Sequence, residues 1–349
     1  MELTKEVNTF LVNLLTKYEQ YNLSVDESRK SKEDKASFIV SKLTRKKFRR
    51  RALVDKTKQA IIEKINLSIQ ENRSIHLVVP FGGYKHFWNP SHPEPDWAEL
   101  FNFKYLTEFV SPVLSVYKPG VIIEYVSEDL ILTRMNNYPE EALTLYSEIF
   151  TKLIEWYNHQ TPDNLKFNYF RVKDRCDSKK LIDEVENMLP KRKEEFDKLT
   201  KEQKEQELHR SVRSVLWNGD KDLTKLSQED KEKRMIESRL IELAYYETEA
   251  KPEYLGDYLW EDNHICICFS FGTTHDNDEF EDLTLGSTYG SIVDHWIGRG
   301  ILHKREDRFI PDIISKNQYE TTKPKLQTVA VNNLLPYKNY QEIEVVIET

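Results

Sequence analysis

Three small groups of residues in this 349-residue chain have the types and spacing to do chemistry: a lysine beside a glycine pair, two adjacent carboxylates, and a histidine next to an aspartate. The lysine is Lys85, in the run Pro80-Phe81-Gly82-Gly83-Tyr84-Lys85-His86-Phe87-Trp88-Asn89-Pro90. Paired glycines let a ligand approach the backbone closely and Lys85 supplies a cation, so the loop reads as a phosphate cradle flanked by Tyr84 and His86 as substrate contacts; the plain alternative is a surface lysine. It is not a nucleoside-triphosphate loop, because Gly-Lys-Ser/Thr is absent, nor a dinucleotide fingerprint, because no third glycine opens a helix. Glu128 and Asp129 could divide acid and base work if unlike surroundings separate their pKa values, or could form a solvated turn. His295, beside Asp294 and with Arg299 four residues on, is a candidate general base expected to titrate near neutrality; otherwise it is a packing residue. Asp96 and Glu99 could hold an amine or act as a base, and equally suit a helix N-cap and its first-turn acid.

No metal centre is expected. His86 and His92 lack a third ligand at suitable spacing. Asp276, Asp278, Glu279, Glu281 and Asp282 are dense but lack the glycine and terminal glutamate of a calcium loop, so they read as a solvated loop. Cys176, Cys266 and Cys268 are odd in number and form no zinc frame, and they read as reduced cytosolic thiols. Cys266 and Cys268 share a strand face, which favours core packing.

These residues must be positioned by regular elements. Apolar residues recur at helical spacing from Leu3 to Tyr18, and a helix from Leu53 to Glu71 leads into the strand Ile75-His76-Leu77-Val78-Val79. Asp96 followed by Glu99 announces a capped helix that carries Trp97, Leu100, Leu106, Phe109 and Val113. Pro119-Gly120 stops it before the strand Val121 to Val126. Strand, helix, strand is the signature of a parallel sheet, in which ligands gather beyond the strands' carboxyl ends, where Lys85 and Glu128 fall. A helix over 139–157, a strand over 165–172, a helix over 232–247 and a central strand over 264–271 continue the pattern. The strand-rich tail (294–303, 327–331, 342–347) is expected to extend the same sheet. The fold expected is therefore α/β, a Rossmann-like and mostly parallel sheet flanked by helices. One elaborated domain is expected over 1–349: a helical N-terminal segment (1–58), a βαβ core (59–175), a charged helical insertion (176–250) and a strand-rich completion (251–349).

Hydrophobic residues at 39% and charged residues at 32% allow a large core under a strongly solvated exterior. The net charge of −8 argues against a general nucleic-acid footprint. The run Arg45 to Arg51 could contact RNA, but a solvated helix face is favoured, so nucleic acid is not expected as a partner. No apolar run is long enough to cross a bilayer and the N-terminus lacks a signal-peptide core, so a cytoplasmic protein with small-molecule substrates is expected. Homo-oligomerisation stays open.

The order Val79, Pro80, Phe81, Lys85, Asn89, Pro90, Pro95, Asp96, Ala98, Glu99, followed by Tyr117, Pro119, Gly120 and Ser127, resembles the isonitrile (isocyanide) synthase family, which includes pyoverdine-cluster and dityrosine-type biosynthetic enzymes. The resemblance covers about Ala60 to Val126. It returns more faintly over Met235 to Tyr246, where Arg239 falls at a family arginine, and at His295-Trp296. It implies an enzyme of secondary metabolism that condenses an amino-acid α-amine with ribulose 5-phosphate, then eliminates and cleaves carbon–carbon bonds to leave an isonitrile, with no metal or redox cofactor. Lys85, Glu128 and His295 are then the catalytic candidates. Tyr84, His86, Asp96, Glu99, Ser127, Asp129, Arg239 and Arg299 are the substrate-binding candidates. The family's Ser-Asp-Gly is Ser127-Glu128-Asp129 here, its Lys-Ser is Lys85-His86, and its Trp-His pair is inverted. Two rivals remain: the same scaffold and phosphosugar with a different bond made, and a non-catalytic protein that binds RNA or a partner.

Overall fold

A computed structural model describes residues 2–348 apart from 51, 83, 88–92, 137, 217–225, 257, 259–260, 262, 270–281 and 333. Asn89, Pro90, His92, Asp276, Asp278, Glu279 and Glu281 therefore lie outside the described residues, as does the Tyr84 side chain.

Five parallel strands form the first sheet: β1 (Ile75–Phe81), β2 (Val121–Ser127), β3 (Leu165–Arg171), β4 (His264–Phe269) and β5 (Asp282–Leu285), in the order β3-β2-β1-β4-β5. β-Branched and aromatic residues fill both faces, as a strand covered on both sides requires. The sheet opens between β1 and β4. β1 pairs with β2 as far as Phe81↔Ser127, but with β4 only as far as Val78↔Cys266. Pro80 lies two residues past the last one paired with β4, a position where a strand tolerates proline. The splay lies where the chain order reverses, the switch point at which such sheets hold ligands.

On one face pack α1 (Glu2–Thr16), α3 (Lys35–Leu43), α4 (Asp55–Gln70), α5 (Trp97–Leu114) and α7 (Glu140–Asn158); α2 (Val25–Glu33) adjoins α3. Their core is aromatic: Phe81, Phe103, Tyr125, Tyr146, Phe150 and Phe167 meet ring to ring. The other face buries Val78, Val126 and Cys266 against α6 (Asp129–Asn136), α8 (Ser178–Asp197) and α10 (Gln228–Glu249). With α9 (Lys201–Leu216), α8 and α10 account for the charged segment of the sequence, cross-tied by pairs such as Lys251–Glu184 at 2.6 Å.

Two expectations need correction. The tail strands do not extend the first sheet: β6 (Arg299–Arg305), β7 (Arg308–Ile314), β8 (Leu326–Ala330) and β9 (Glu342–Glu348) form a separate mixed sheet in the order β7-β6-β9-β8, with α11 (Lys316–Thr322) between β7 and β8. β-Pattern alone does not say which sheet a strand joins. Residues 294–298 form a turn ahead of β6. Nor is the basic run a helix face. α3 ends at Leu43, and beyond it Arg49 bridges to Leu285 while the Arg50 amide donates to the Thr284 carbonyl, covering the edge of β5. Arg45 turns inward, donating to the Phe109 carbonyl at 2.6 Å and stacking on buried Phe48.

Candidate functional site

Lys85 sits in a single turn of 3-10 helix, Tyr84–Phe87, just beyond β1. It is no surface lysine, being 2% exposed. Its Nζ lies 3.1 Å from Asp96 Oδ1 and 3.3 Å from Glu99 Oε1, and it donates to the Gly298 carbonyl. Three acceptors thus meet the three donors of the ammonium.

Both acids come from the start of α5, where the expected capping box forms. Asp96 Oδ1 accepts from the Ala98 amide at 2.8 Å, and the Asp96 amide donates to Glu99 Oε2 at 2.8 Å. Structural and polar roles therefore coincide in one pair. Asp96 Oδ1 also accepts from the Gly300 amide at 3.2 Å, which joins α5 to β6. A Cβ at Gly300 would stand 2.4 Å from the Ala98 nitrogen, so only glycine permits this approach. Glu99 is fully buried and accepts from the Tyr146 hydroxyl at 3.1 Å. Its distance to Lys85 suits an ion pair, yet burial pushes its carboxyl up to about 8; Lys85 opposes the shift and Asp96 adds to it. We take burial as decisive, because Asp96 already balances the lysine charge.

A cleft of about 510 Å³ opens beside this knot, with Lys85, Glu94, Asp96, Arg299, Lys338 and Glu344 among its lining residues. Arg299 is held by Glu344 at 2.7 Å and stacks on Tyr319.

His295 is 1% exposed and boxed by Phe81, Tyr125, Phe269 and Trp296 at 4.8 to 6.1 Å between ring centroids. Among the described residues neither ring nitrogen has a hydrogen-bond partner. Desolvation, and then the charge of Lys85, hold its pKa well below the usual value. The expected titration near neutrality is thereby corrected: the imidazole is neutral through the physiological range.

Ser127, Glu128 and Asp129 run from the end of β2 into α6 and are all buried rather than a solvated turn. The Glu128 amide donates to the Phe81 carbonyl at 3.0 Å, which ties this end of β2 to β1. Burial, and then the charge of Glu249, push the Glu128 carboxyl well above its ordinary value, and on α10 Tyr245 donates to Glu249 at 3.0 Å. Asp129 receives Arg171 at 2.6 Å. The His86 ring meets Tyr138 edge-on at 5.4 Å. Arg239 lies apart from this assembly, held at 2.5 Å by Glu207 and Glu242 and about 15 Å along α10 from Glu249. Among the described residues, no three ligating side chains are grouped to hold a metal ion. Cys266 and Cys268 place their sulfurs 3.8 Å apart as free thiols.

Tyr146, Glu94, Gly298, Gly300, Tyr245, Glu249 and Arg171 were not legible as site residues. The Gly298-Arg299-Gly300 spacing was a usable signal; an isolated glutamate at the end of a charged helix was none.

A splayed parallel sheet with a buried lysine–carboxylate knot at its switch point defines an α/β protein of the Rossmann-like class, with the knot as its candidate site. The chain resembles the L-tryptophan isonitrile synthase AmbI2 of Fischerella ambigua, with 23% identity over 133 residues, a stretch spanning 34% of this chain and 39% of that enzyme. Its fold matches the PvcA protein of Pseudomonas aeruginosa with a TM-score of 0.57 and 15% identity, covering 89% of this chain and 99% of that one. No family model matches. Over about a third of its length the chain is thus similar to an isonitrile synthase, as its motif order suggested, and it shares the fold of PvcA. Among the described residues no helix is long and apolar enough to cross a membrane.

Proposed function

We propose that the chain is an isonitrile synthase-like enzyme that joins the α-amine of an amino acid to the ketone of ribulose 5-phosphate. The observation that carries this reading is the Lys85–Asp96–Glu99 knot on the wall of a polar cleft, with the imidazole of His295, unpartnered among the described residues, within reach of the lysine's charge. Such a condensation needs a fixed positive charge, a cation for phosphate and groups that move protons around an imine. Lys85 serves as the fixed charge. With each donor already facing an acceptor, it suits electrostatic work better than nucleophilic attack. Arg299 and Lys338 line the same cleft and offer cations to a phosphate. His295 is neutral, so one ring nitrogen carries a lone pair that can take a proton from the substrate amine while the other carries an N–H. Elimination and carbon–carbon cleavage then leave the isonitrile.

A second reading keeps the phosphosugar and changes the bond made. It is favoured by Glu128 and Asp129, buried carboxyls where the family carries Asp-Gly. Incubating the purified chain with ribulose 5-phosphate and pooled amino acids, followed by mass spectrometry, separates the two. An isonitrile product supports the first reading, a different adduct the second, and an unchanged mixture sinks both.

A further inference from the structure

We propose that His303, donating through both ring nitrogens to carboxylates on its two flanking strands, is a positioning residue whose charge seats the turn behind Lys85 and so makes ligand binding in the cleft depend on pH. The proposal rests on the function proposed above and names a regulation of the same site. His303 Nε2 donates to Asp312 Oδ2 on β7 at 3.1 Å, and Nδ1 donates to Glu348 Oε1 on β9 at 2.7 Å. A neutral imidazole has a single N–H, and its other nitrogen would turn a lone pair on a carboxylate. Two carboxylates on one half-buried ring therefore call for the imidazolium, which ties β6 to both of its neighbours.

Asp312 carries that tie onward. Its Oδ1 accepts from the buried Ser291 hydroxyl at 2.8 Å, and Ser291 Oγ in turn accepts from the Ile313 amide at 2.9 Å. Ser291 opens the segment 291–298, which holds His295 and ends at Gly298, whose carbonyl accepts from Lys85. The far end of the segment rests on the same strand, since a Cβ at Gly298 would stand 2.3 Å from Ile313 Cγ2. β6 and β9 also supply Arg299, Gly300, Glu342 and Glu344 to the cleft. One imidazolium thus braces both the cleft wall and the acceptor of the lysine.

The charged and titratable groups on this face of the sheet come from four elements: Asp312 and the exposed Arg308 from β7, Glu344 and Glu348 from β9, Arg299 and Arg305 beside His303 on β6, and Tyr319 from α11. Arg305 is bonded to Glu348 at 3.2 Å and Arg299 to Glu344 at 2.7 Å, while Tyr319 donates to Glu344 at 2.8 Å. The hydrogen bond to Asp312 acts most strongly on His303, burial opposes it and the bond to Glu348 reinforces it, so the pKa of the ring stands above its usual value. The brace is therefore complete below the ordinary histidine value and is lost as pH rises through the raised one. Deprotonation releases one proton to solvent and leaves a lone pair facing a carboxylate.

The test follows the histidine rings and backbone amides of the isotope-labelled full chain by NMR from pH 5 to 10, with His303→Gln to assign the His303 signals. His303 is expected to titrate above about 6.5 with both ring nitrogens protonated below its midpoint, and the amides of 291–298 are expected to shift with that same midpoint. A titration at or below 6.5 would overturn the brace, and so would a raised titration that leaves those amides unmoved. Should His303→Gln fail to fold, Ser291→Ala serves, because it keeps the charged ring and removes only the relaying hydroxyl: the ring should still titrate while the amide response vanishes, and a persisting response refutes the route. In calorimetric titration with ribulose 5-phosphate, His303→Gln should bind about 10-fold more weakly than wild type at pH 7 and lose the weakening that wild type shows at higher pH. Equal affinities with parallel pH profiles would remove His303 from the site. A wild type that binds no ribulose 5-phosphate counts against the proposed function, whereas the NMR titration judges the brace itself.

Discussion

Replacing Glu99 with Gln isolates the electrostatics of the lysine knot. Glu99 is fully buried and its carboxyl is pushed from 4.5 up to about 8. Below about pH 4.5 folded and unfolded chains both hold this proton, and the stability linked to it is fully present. Between about 4.5 and 8 the unfolded chain releases the proton while the folded chain keeps it. Stability therefore falls as pH rises, by about 1.4 kcal/mol per pH unit, and the loss levels off above the folded value. The whole window is worth about 3 to 5 kcal/mol. Glutamine has nearly the shape of the protonated acid and cannot release the proton, so Glu99→Gln removes the slope. Urea denaturation of both proteins at unit steps from pH 5 to 8 measures it: the variant should gain on wild type at each step and be the more stable by pH 8. A difference that does not change with pH would refute the reasoning. Glu99 would then be an ordinary ionised partner of Lys85, with Coulomb attraction rather than desolvation dominant.

Lys85→Ala should cost about 3 to 5 kcal/mol in the same assay, because it leaves the Asp96 carboxylate without its cation and the Gly298 carbonyl and Glu99 without their donor; wild-type stability would show the knot to be slack. His295→Phe should hold or raise the melting temperature, since no hydrogen bond of the imidazole is lost in its aromatic box, while turnover in the isonitrile assay falls by about 10²-fold; a large loss of stability would mark His295 as a packing residue. Gly300→Ala should lower stability by about 1 to 3 kcal/mol, seen in thermal unfolding, because its Cβ meets the backbone of Trp97 and Ala98; an unchanged melting point would mean β6 can shift away from α5. With Arg45 turned into the protein and Arg49 bridged to β5, labelled RNA should show no sub-micromolar binding at physiological salt, and such binding, lost on changing Arg49 and Arg50 to Ala, would restore the RNA reading.

Local rules carried much of the fold. The β-branched run before Pro80, the capping box of Asp96 and Glu99, and the Pro119-Gly120 stop each act within a few residues, and β1, α5 and β2 lie where those signals put them. The motif order around Lys85 also pointed to the right relatives, because it records the βαβ unit that builds the switch point. What the sequence left open was every relation made across long separations. Lys85 meets Gly298 213 residues away, and Gly300 reaches Asp96 across 204. Tyr245 of α10 shares a core with Val78 and Val126 of the first sheet, a packing that no local signal announces. Protonation was undecided for the same reason: Glu99 and His295 have ordinary titrations in any peptide, and only the dry, aromatic interior assembled by both sheets and α5 makes the neutral forms of both the cheaper ones.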